Sequence, residues 1–272
     1  MGELDGRVAL VTGASRGIGT GIAQRLAAEG AAVAVTARTA ESHPKLPGSL
    51  KETVDSITAM GGRAIAVTAD LADPEDRARI VPAVVEQLGP IDVLVNNAAA
   101  CFFMPFENYS ANRLRIALEI NVRAPFELAQ QVLPAMREKG QGWIVNIGSA
   151  TSRHKTFPFD DSFAQHPDLV YGLTKSALDR FTNGLAAEVI GDGIACNLVM
   201  PVGGVITPGV EAIGTELTED QSEPLETMVE AVIAACVCNP KQLNGRIAAS
   251  IPLLEELGRP VRTLDGSTLY EG

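Results

Sequence analysis

Short apolar runs alternate along the chain with longer stretches whose apolar residues recur every three or four positions. The runs at 7–12, 32–37, 64–69, 91–96, 143–147 and 194–200 are rich in Val, Ile, Leu and Ala. They lack the polar alternation of a strand with one wet face, so they read as strands buried on both sides. Between them, 17–29, 49–60, 74–88, 111–139 and 169–190 carry the helical period. Pro74 fits the first turn of its helix, and Pro125 and Pro134 are candidate bends in the long 111–139 stretch. Beyond residue 200 the pattern weakens. Residues 202–224 hold Gly, Pro and Glu with little periodicity, before a helix near 226–236 and a strand near 246–250.

Seven strands alternating with helices predict the α/β class: a doubly wound, Rossmann-type fold with a parallel sheet of about seven strands and helices on both faces. No linker, repeat or low-complexity tract divides the chain, so 1–272 reads as one domain. Segments 39–50, 152–168 and 202–224 read as inserted or mobile. The last two follow strand C-termini, where such sheets bind ligands.

Composition narrows the picture. Apolar residues make up 46% of the 272, but aromatics only 4%, so Ala, Val, Ile and Leu must build the core. Lys and Arg total 22 against 33 Asp and Glu, a net charge of −11. A phosphate-gripping nucleic-acid binder needs the opposite balance, so nucleic acid is not an expected partner. Cys101, Cys196, Cys236 and Cys238 include one Cys-x-Cys pair and no zinc spacing. No metal is expected, and the thiols read as inert. The opening MGELDGRVALVTG reads as a first strand rather than a signal peptide. No segment approaches the ~20 apolar residues of a bilayer span. A cytoplasmic protein without a membrane partner is the expectation.

The first strand runs into Thr12-Gly13-Ala14-Ser15-Arg16-Gly17-Ile18-Gly19 and then a helix. Glycines let a backbone turn sharply and approach a pyrophosphate with no Cβ in the way. The free N–H groups and dipole of the following helix then face negative charge. Gly13, Ser15, Arg16, Gly17, Ile18 and Gly19 are therefore candidate phosphate-loop residues. Tyr171 and Lys175 are four apart on a predicted helix and share one face. An ammonium beside a phenol stabilises the phenolate and lowers its pKa toward the range of acid/base work.

TGASRGIG, Asn-Asn-Ala-Ala at 96–99, Asn121, Ser149, Tyr-Gly-Leu-Thr-Lys at 171–175 and a proline after the sixth strand occur in this order. Together they resemble the short-chain dehydrogenase/reductase family over residues 6–208. The resemblance implies an oxidoreductase that moves a hydride between a nicotinamide and a carbonyl or alcohol. It assigns Tyr171 as proton donor or acceptor, Lys175 as the group that lowers its pKa and meets the nicotinamide ribose, and Ser149 as the hydroxyl that holds the substrate oxygen. It makes Asn121 the support of a water relay. Ser152 is the alternative serine. For the cofactor it implies Asp70 and Leu71 at the adenine, Asn97, Ala98 and Ala99 beside it, and Pro201, Val205 and Thr207 at the carboxamide and phosphate. Ala99 stands where relatives usually have Gly. Ala37 replaces the Asp of NAD-preferring relatives, and Arg38 follows it. With Arg16, Arg38 suits a 2′-phosphate, which points to NADP(H) rather than NAD.

The interval from Ser149 to Tyr171 is longer than in most relatives. Its excess carries His154, Asp160, Asp161 and His166, spaced irregularly for a metal, and Phe157, Phe159 and Phe163, suited to shaping a substrate site. Segment 38–50 resembles the hydroxysteroid dehydrogenase-like branch. Residues 208–224 read as a flexible lid. Relatives pair through the helices bearing Asn121 and Tyr171, which implies a homodimer or homotetramer. A non-catalytic dinucleotide sensor on the same fold is the alternative function.

Overall fold

The structure, a computed structural model, describes residues 2–41, 46–159, 161, 167–212 and 218–271. Strands β1 (Val8–Thr12), β2 (Ala32–Ala37), β3 (Arg63–Thr68), β4 (Val93–Asn96), β5 (Gly142–Ile147), β6 (Ile194–Met200) and β7 (Ile247–Ala249) form one sheet. Its order is β3-β2-β1-β4-β5-β6-β7, and every pairing is parallel. The order reverses between β1 and β4, the place where doubly wound sheets open a crevice at their C-terminal edge.

Helices α1 (Gly17–Ala28), α2 (Leu50–Ala59), α8 (Leu225–Val237) and α9 (Ser250–Leu257) supply one apolar layer. Helices α3 (Pro74–Leu88), α4 (Ala111–Leu118), α5 (Ala124–Lys139) and α6 (Leu169–Glu188) supply the other; a short α7 (Pro208–Ala212) stands apart. The central strands are mostly apolar because alternate residues feed opposite layers; the buried asparagines among them are hydrogen-bonded, Asn96 to Asn146 at 2.9 Å and Asn197 to Leu243 O at 3.1 Å, and the edge strand β3 is only partly covered. Ala9 and Val11 of β1 join the first core, and Val8 and Leu10 the second. Trp143, Val145 and Ile147 of β5 join the first, and Ile144 the second. A charge at Leu10, 0% exposed, would have no face to turn to.

Local signals set the helix starts. Ser49 accepts from Glu52 N at 3.1 Å at the head of α2. Asp73 accepts from Glu75 N at 2.9 Å at the head of α3, with Pro74 in its first turn.

The structure departs from the expected elements in three places. The stretch 111–139 is helical throughout, as expected, but a π-helical turn, Glu119–Arg123, joins α4 to α5. The cause is Pro125, which has no N–H to offer the Asn121 carbonyl four residues back. Pro134 lies within α5 without interrupting it. Segment 202–224 contains α7 and a 3-10 turn, Glu219–Gln221. Its ends are pinned by a bridge between Gly204 and Ser222. The final strand passes directly into α9, which the pattern did not separate from it.

Candidate active site

A cleft of about 270 Å³ opens over the C-terminal ends of β1, β2, β3 and β4. Gly13, Ser15, Arg16, Arg38, Asp70, Leu71, Asn97, Ala98 and Ala99 line it, as the sequence led one to expect. Gly17, Ile18 and Gly19 form the first turn of α1 beneath it. Gly13 and Gly17 have φ of +66° and +59°, a region closed to most side chains. A Cβ on Gly13 would lie 2.7 Å from Ala98 Cα. Arg16, at the head of α1, offers no side-chain cap, so the first-turn N–H groups stay available toward the cleft. This cradle fits a dinucleotide pyrophosphate.

Asn97 holds the cradle together. Its Nδ2 donates to Thr12 O at 2.8 Å and Gly13 O at 3.2 Å, while Thr12 Oγ1 accepts from Asn97 N and Ala98 N, each at 3.0 Å. No described non-glycine residue has positive φ, so Ala99 in place of Gly carries no backbone strain. Arg16 donates to Pro47 O and Gly48 O, both at 2.9 Å, which fixes the loop between β2 and α2 against the glycine turn. Burial lowers its pKa, and the nearby Arg38 cation lowers it further. Two guanidinium groups thus face one corner of the cleft, and Arg38 makes no hydrogen bond or ion pair with a described residue.

Pro201, Val205 and Thr207 do not line the cleft; Gly209 of α7 does. Thr207 approaches the glycine turn, since a Cβ on Gly17 would lie 3.1 Å from its side chain. The Val205 side chain is buried in the first core, which leaves only its backbone free to face a ligand. Glu223 was not anticipated. It is buried, accepts from Val202 N at 2.8 Å, and accepts from Ser250 Oγ at 2.8 and 2.7 Å.

Ser149, Tyr171 and Lys175 converge beside the C-terminal end of β5. Ser149 Oγ accepts from Thr151 Oγ1 at 2.9 Å and Thr151 N at 3.3 Å, so its own proton can point toward Tyr171. Gly172 permits this approach: a Cβ there would lie 2.6 Å from Thr151 O. The alternative Ser152 turns away, with its hydroxyl on Asp179. Lys175, 2% exposed, donates from Nζ to Ile147 O at 2.7 Å and lies 5.5 Å from the Tyr171 ring centre.

The expected lowering of the Tyr171 pKa by Lys175 is not what the geometry gives. Burial pushes the phenol above its usual range, and only Ser149 pulls it back. The lysine sits over the ring rather than at the hydroxyl. Burial also brings Lys175 itself down to about 8. Both groups lose hydration together, and desolvation outweighs their mutual influence.

Asn121, 1% exposed on the π turn, uses its side chain as a clamp. Oδ1 accepts from Ala100 N at 2.7 Å; Nδ2 donates to Ala100 O at 2.9 Å and Thr174 Oγ1 at 3.0 Å. Thr174 in turn donates to Tyr171 O at 2.8 Å. Asn121 therefore joins the loop after β4 to the helix carrying Tyr171, and touches Lys175 with no side-chain hydrogen bond. Pro125 has no N–H to give the main-chain carbonyl of Asn121.

Across from Tyr171 stands the loop after β4. Phe103 meets the Tyr171 ring edge-on at 5.7 Å, and Cys101 lies within electrostatic reach of both Tyr171 and Lys175. Burial pushes the Cys101 thiol up to about 12. The other border begins after Ser149, where Lys155 pairs with Asp168 at 2.6 Å. Asp160, Phe163 and His166 lie outside the described residues. Among the described residues no three His, Cys, Asp or Glu side chains gather as a metal site would require.

Comparison with known proteins agrees with this geometry. A family model described as short chain dehydrogenase matches residues 7–218. Hydroxysteroid dehydrogenase-like protein 2 of Bos taurus is 30% identical over 258 residues, covering 94% of this chain. The chain spans 59% of that relative's length. A short chain dehydrogenase structure from Mycobacterium thermoresistibile superposes with a TM-score of 0.81 at 30% identity, covering 94% of this chain and 88% of that one. A blue fluorescent protein from a metagenomic library, solved in complex with NADPH, has a TM-score of 0.76 at 33% identity, covering 91% and 97%.

Proposed function

The chain belongs to the short-chain dehydrogenase/reductase family, and from that premise we propose that it is an NADP(H)-dependent oxidoreductase that interconverts a carbonyl and an alcohol. The observation that carries this reading is the convergence of Ser149, Tyr171 and Lys175 beside a cleft built for a dinucleotide.

A nicotinamide cofactor, when bound in the cleft, would supply the hydride chemistry. The chain's own residues hold the substrate oxygen and move a proton. Ser149, with its oxygen occupied by Thr151, donates to the substrate oxygen. Tyr171 delivers the proton to that oxygen in reduction. A phenol kept protonated by burial suits the donor role. Lys175, brought down to about 8, would hold the nicotinamide ribose of a bound cofactor and would return a proton to Tyr171 through water at the Asn121 carbonyl.

The choice of NADP(H) rests on Ala37, Arg38 and Arg16. The end of β2 offers no carboxylate to a ribose hydroxyl and two cations to a phosphate. The NADPH-bound relative supports it. We take 1–272 as one domain and its function as cytoplasmic; among the described residues no helix is long and apolar enough to cross a membrane. Leu114 and Leu118 on α4, Phe126 on α5, and Leu169 and Leu173 on α6 are exposed, which supports self-association through these helices.

The test is NADPH oxidation at 340 nm against a carbonyl panel, with Tyr171→Phe alongside. Turnover abolished by the variant is expected. Tight NADPH binding with no turnover on any carbonyl would make the chain a dinucleotide sensor instead. Tighter NADH than NADPH binding would overturn the cofactor choice.

A further inference from the structure

The chain is sparing with aromatics, yet it places them unevenly. It has eight phenylalanines, and six of them (102, 103, 106, 157, 159 and 163) fall in the two loops that border Tyr171. The remaining two, Phe126 and Phe181, pack on each other at 5.6 Å. The core is built mainly from Ala, Val, Ile and Leu, and of the six it draws on none of the five that are described.

The bordering rings are left in water. Phe103, Phe106, Phe157 and Phe159 are 41%, 71%, 81% and 63% exposed. Burial of a phenylalanine side chain is worth about 1.5–3 kcal/mol, so four exposed rings forgo much of the stabilisation that burial would give them. Their position explains what stability does not. Phe103 stands edge-on to Tyr171, so the apolar border begins at the acid/base group itself. Phe157 and Phe159 meet edge-on at 5.9 Å, on a segment that starts beside Ser149 and returns at Asp168. Val202 and Ile206, 52% and 54% exposed, add aliphatic surface where the segment after β6 begins.

Three polar groups in the same region are already committed. Asp168 is paired with Lys155, Ser152 with Asp179, and Arg113 lies against Met104 Sδ at 3.4 Å. A net charge of −11 disfavours an anionic lipid surface as the occupant of the rings.

We propose that the substrate is a bulky, ring-bearing carbonyl compound or its alcohol, with an extended apolar body that Phe103, Phe106, Phe157 and Phe159 enclose. This inference rests on the oxidoreductase reading above and narrows its substrate class. Flat apolar rings match edge-on and offset aromatic contacts, and the reacting carbonyl lies at one end of the body, against Ser149 and Tyr171.

The experiment measures kcat/KM with NADPH for cyclohexanone, 2-decalone and saturated three- and four-ring ketones. Efficiency is expected to rise with ring number, mainly through KM, by up to about fourfold per methylene newly buried. The Phe157→Ala/Phe159→Ala double variant is expected to lose at least about tenfold on the four-ring ketone while staying within about twofold on cyclohexanone. Both side chains are exposed, so an unchanged melting temperature should confirm that the fold is intact. A flat or falling dependence on ring number overturns the proposal, as does a variant that keeps the wild-type slope. Vesicle binding or self-association lost in the variant, with the slope unchanged, assigns the rings to another surface and also overturns it. Should no ketone turn over at all, the oxidoreductase reading fails by itself. Calorimetry on the NADPH-loaded protein then decides the substrate class: the four-ring ketone must bind more tightly than cyclohexanone.

Discussion

Replacing Asn121 by Ala tests the clamp between the cofactor side and the catalytic helix. The variant deletes three hydrogen bonds, two to the Ala100 peptide and one to Thr174 Oγ1. A buried polar group left without a partner costs about 1–3 kcal/mol. Thr174 keeps its bond to Tyr171 O and loses only a donor to its oxygen. Ala100 is half-buried, so water recovers part of its loss. Two weakened peptide groups and a small void together predict a loss of about 2–4 kcal/mol. Urea unfolding at pH 7 should show this as a lower midpoint with the slope unchanged. Catalytic efficiency should fall as well, because Tyr171 rides on the clamped helix. Asn121→Asp sharpens the test. At neutral pH its carboxylate opposes Ala100 O; once protonated it can donate to it. The folded-state pKa of that Asp is therefore raised, and stability is gained as pH falls through it. A loss below about 0.5 kcal/mol in Asn121→Ala would refute the clamp, since ordinary surface changes reach that size.

Arg38→Ala should weaken NADPH binding about 10- to 100-fold and leave NADH nearly unchanged, as fluorescence titration would show; equal losses would remove the phosphate assignment. Gly172→Ala forces a methyl against Thr151 O and should cost about 1–3 kcal/mol in urea while lowering kcat, because it parts Tyr171 from Ser149. Lys175 should leave a mark on stability against pH. Its folded pKa, about 8, lies below the ordinary 10.5, so across that window the unfolded chain binds a proton that the folded chain releases. The lysine's contribution therefore rises with pH from about 8 to about 10.5. Four thiols, two buried and two half-buried, act in the opposite direction above pH 9, so the quantity to measure is wild type minus Lys175→Met. A difference that stays flat through the window would contradict the burial of the charge.

The strands were legible because a parallel sheet covered on both faces leaves few positions for a polar residue. Val8 to Val11 feed two cores by turns, and an unbroken apolar run records that fact. The cradle was legible for a related reason: the left-handed turn at Gly13 and Gly17 admits little else. The π turn was not, because apolar periodicity passes through 119–123 undisturbed and only Pro125 hints at the shifted hydrogen bonding. The environment of Tyr171 escaped as well. Spacing places a lysine one turn away, but not the burial that raises one pKa and lowers the other. Arg16 could be read as a phosphate ligand, but its bonds to Pro47 and Gly48, more than thirty residues on, leave no local trace. Thr174 had a weak signal in its place beside Lys175. Glu223 and Ser250 had none, being 27 residues apart and joined only in space.

That last pair has a consequence for how the protein can change. Gly204 and Ser222 meet in a bridge, and Glu223 anchors the same spot to Val202 and to the head of α9. The ends of the segment between them are thus held together whatever it contains. Closing a longer or shorter loop across such a fixed gap costs only a fraction of a kcal/mol per modest change in length. The sequence between Gly209 and Gln221 can therefore drift or be exchanged to suit a new substrate, while Val205 in the core, Thr207 at the glycine turn, the sheet, the cradle and Tyr171 remain as they are.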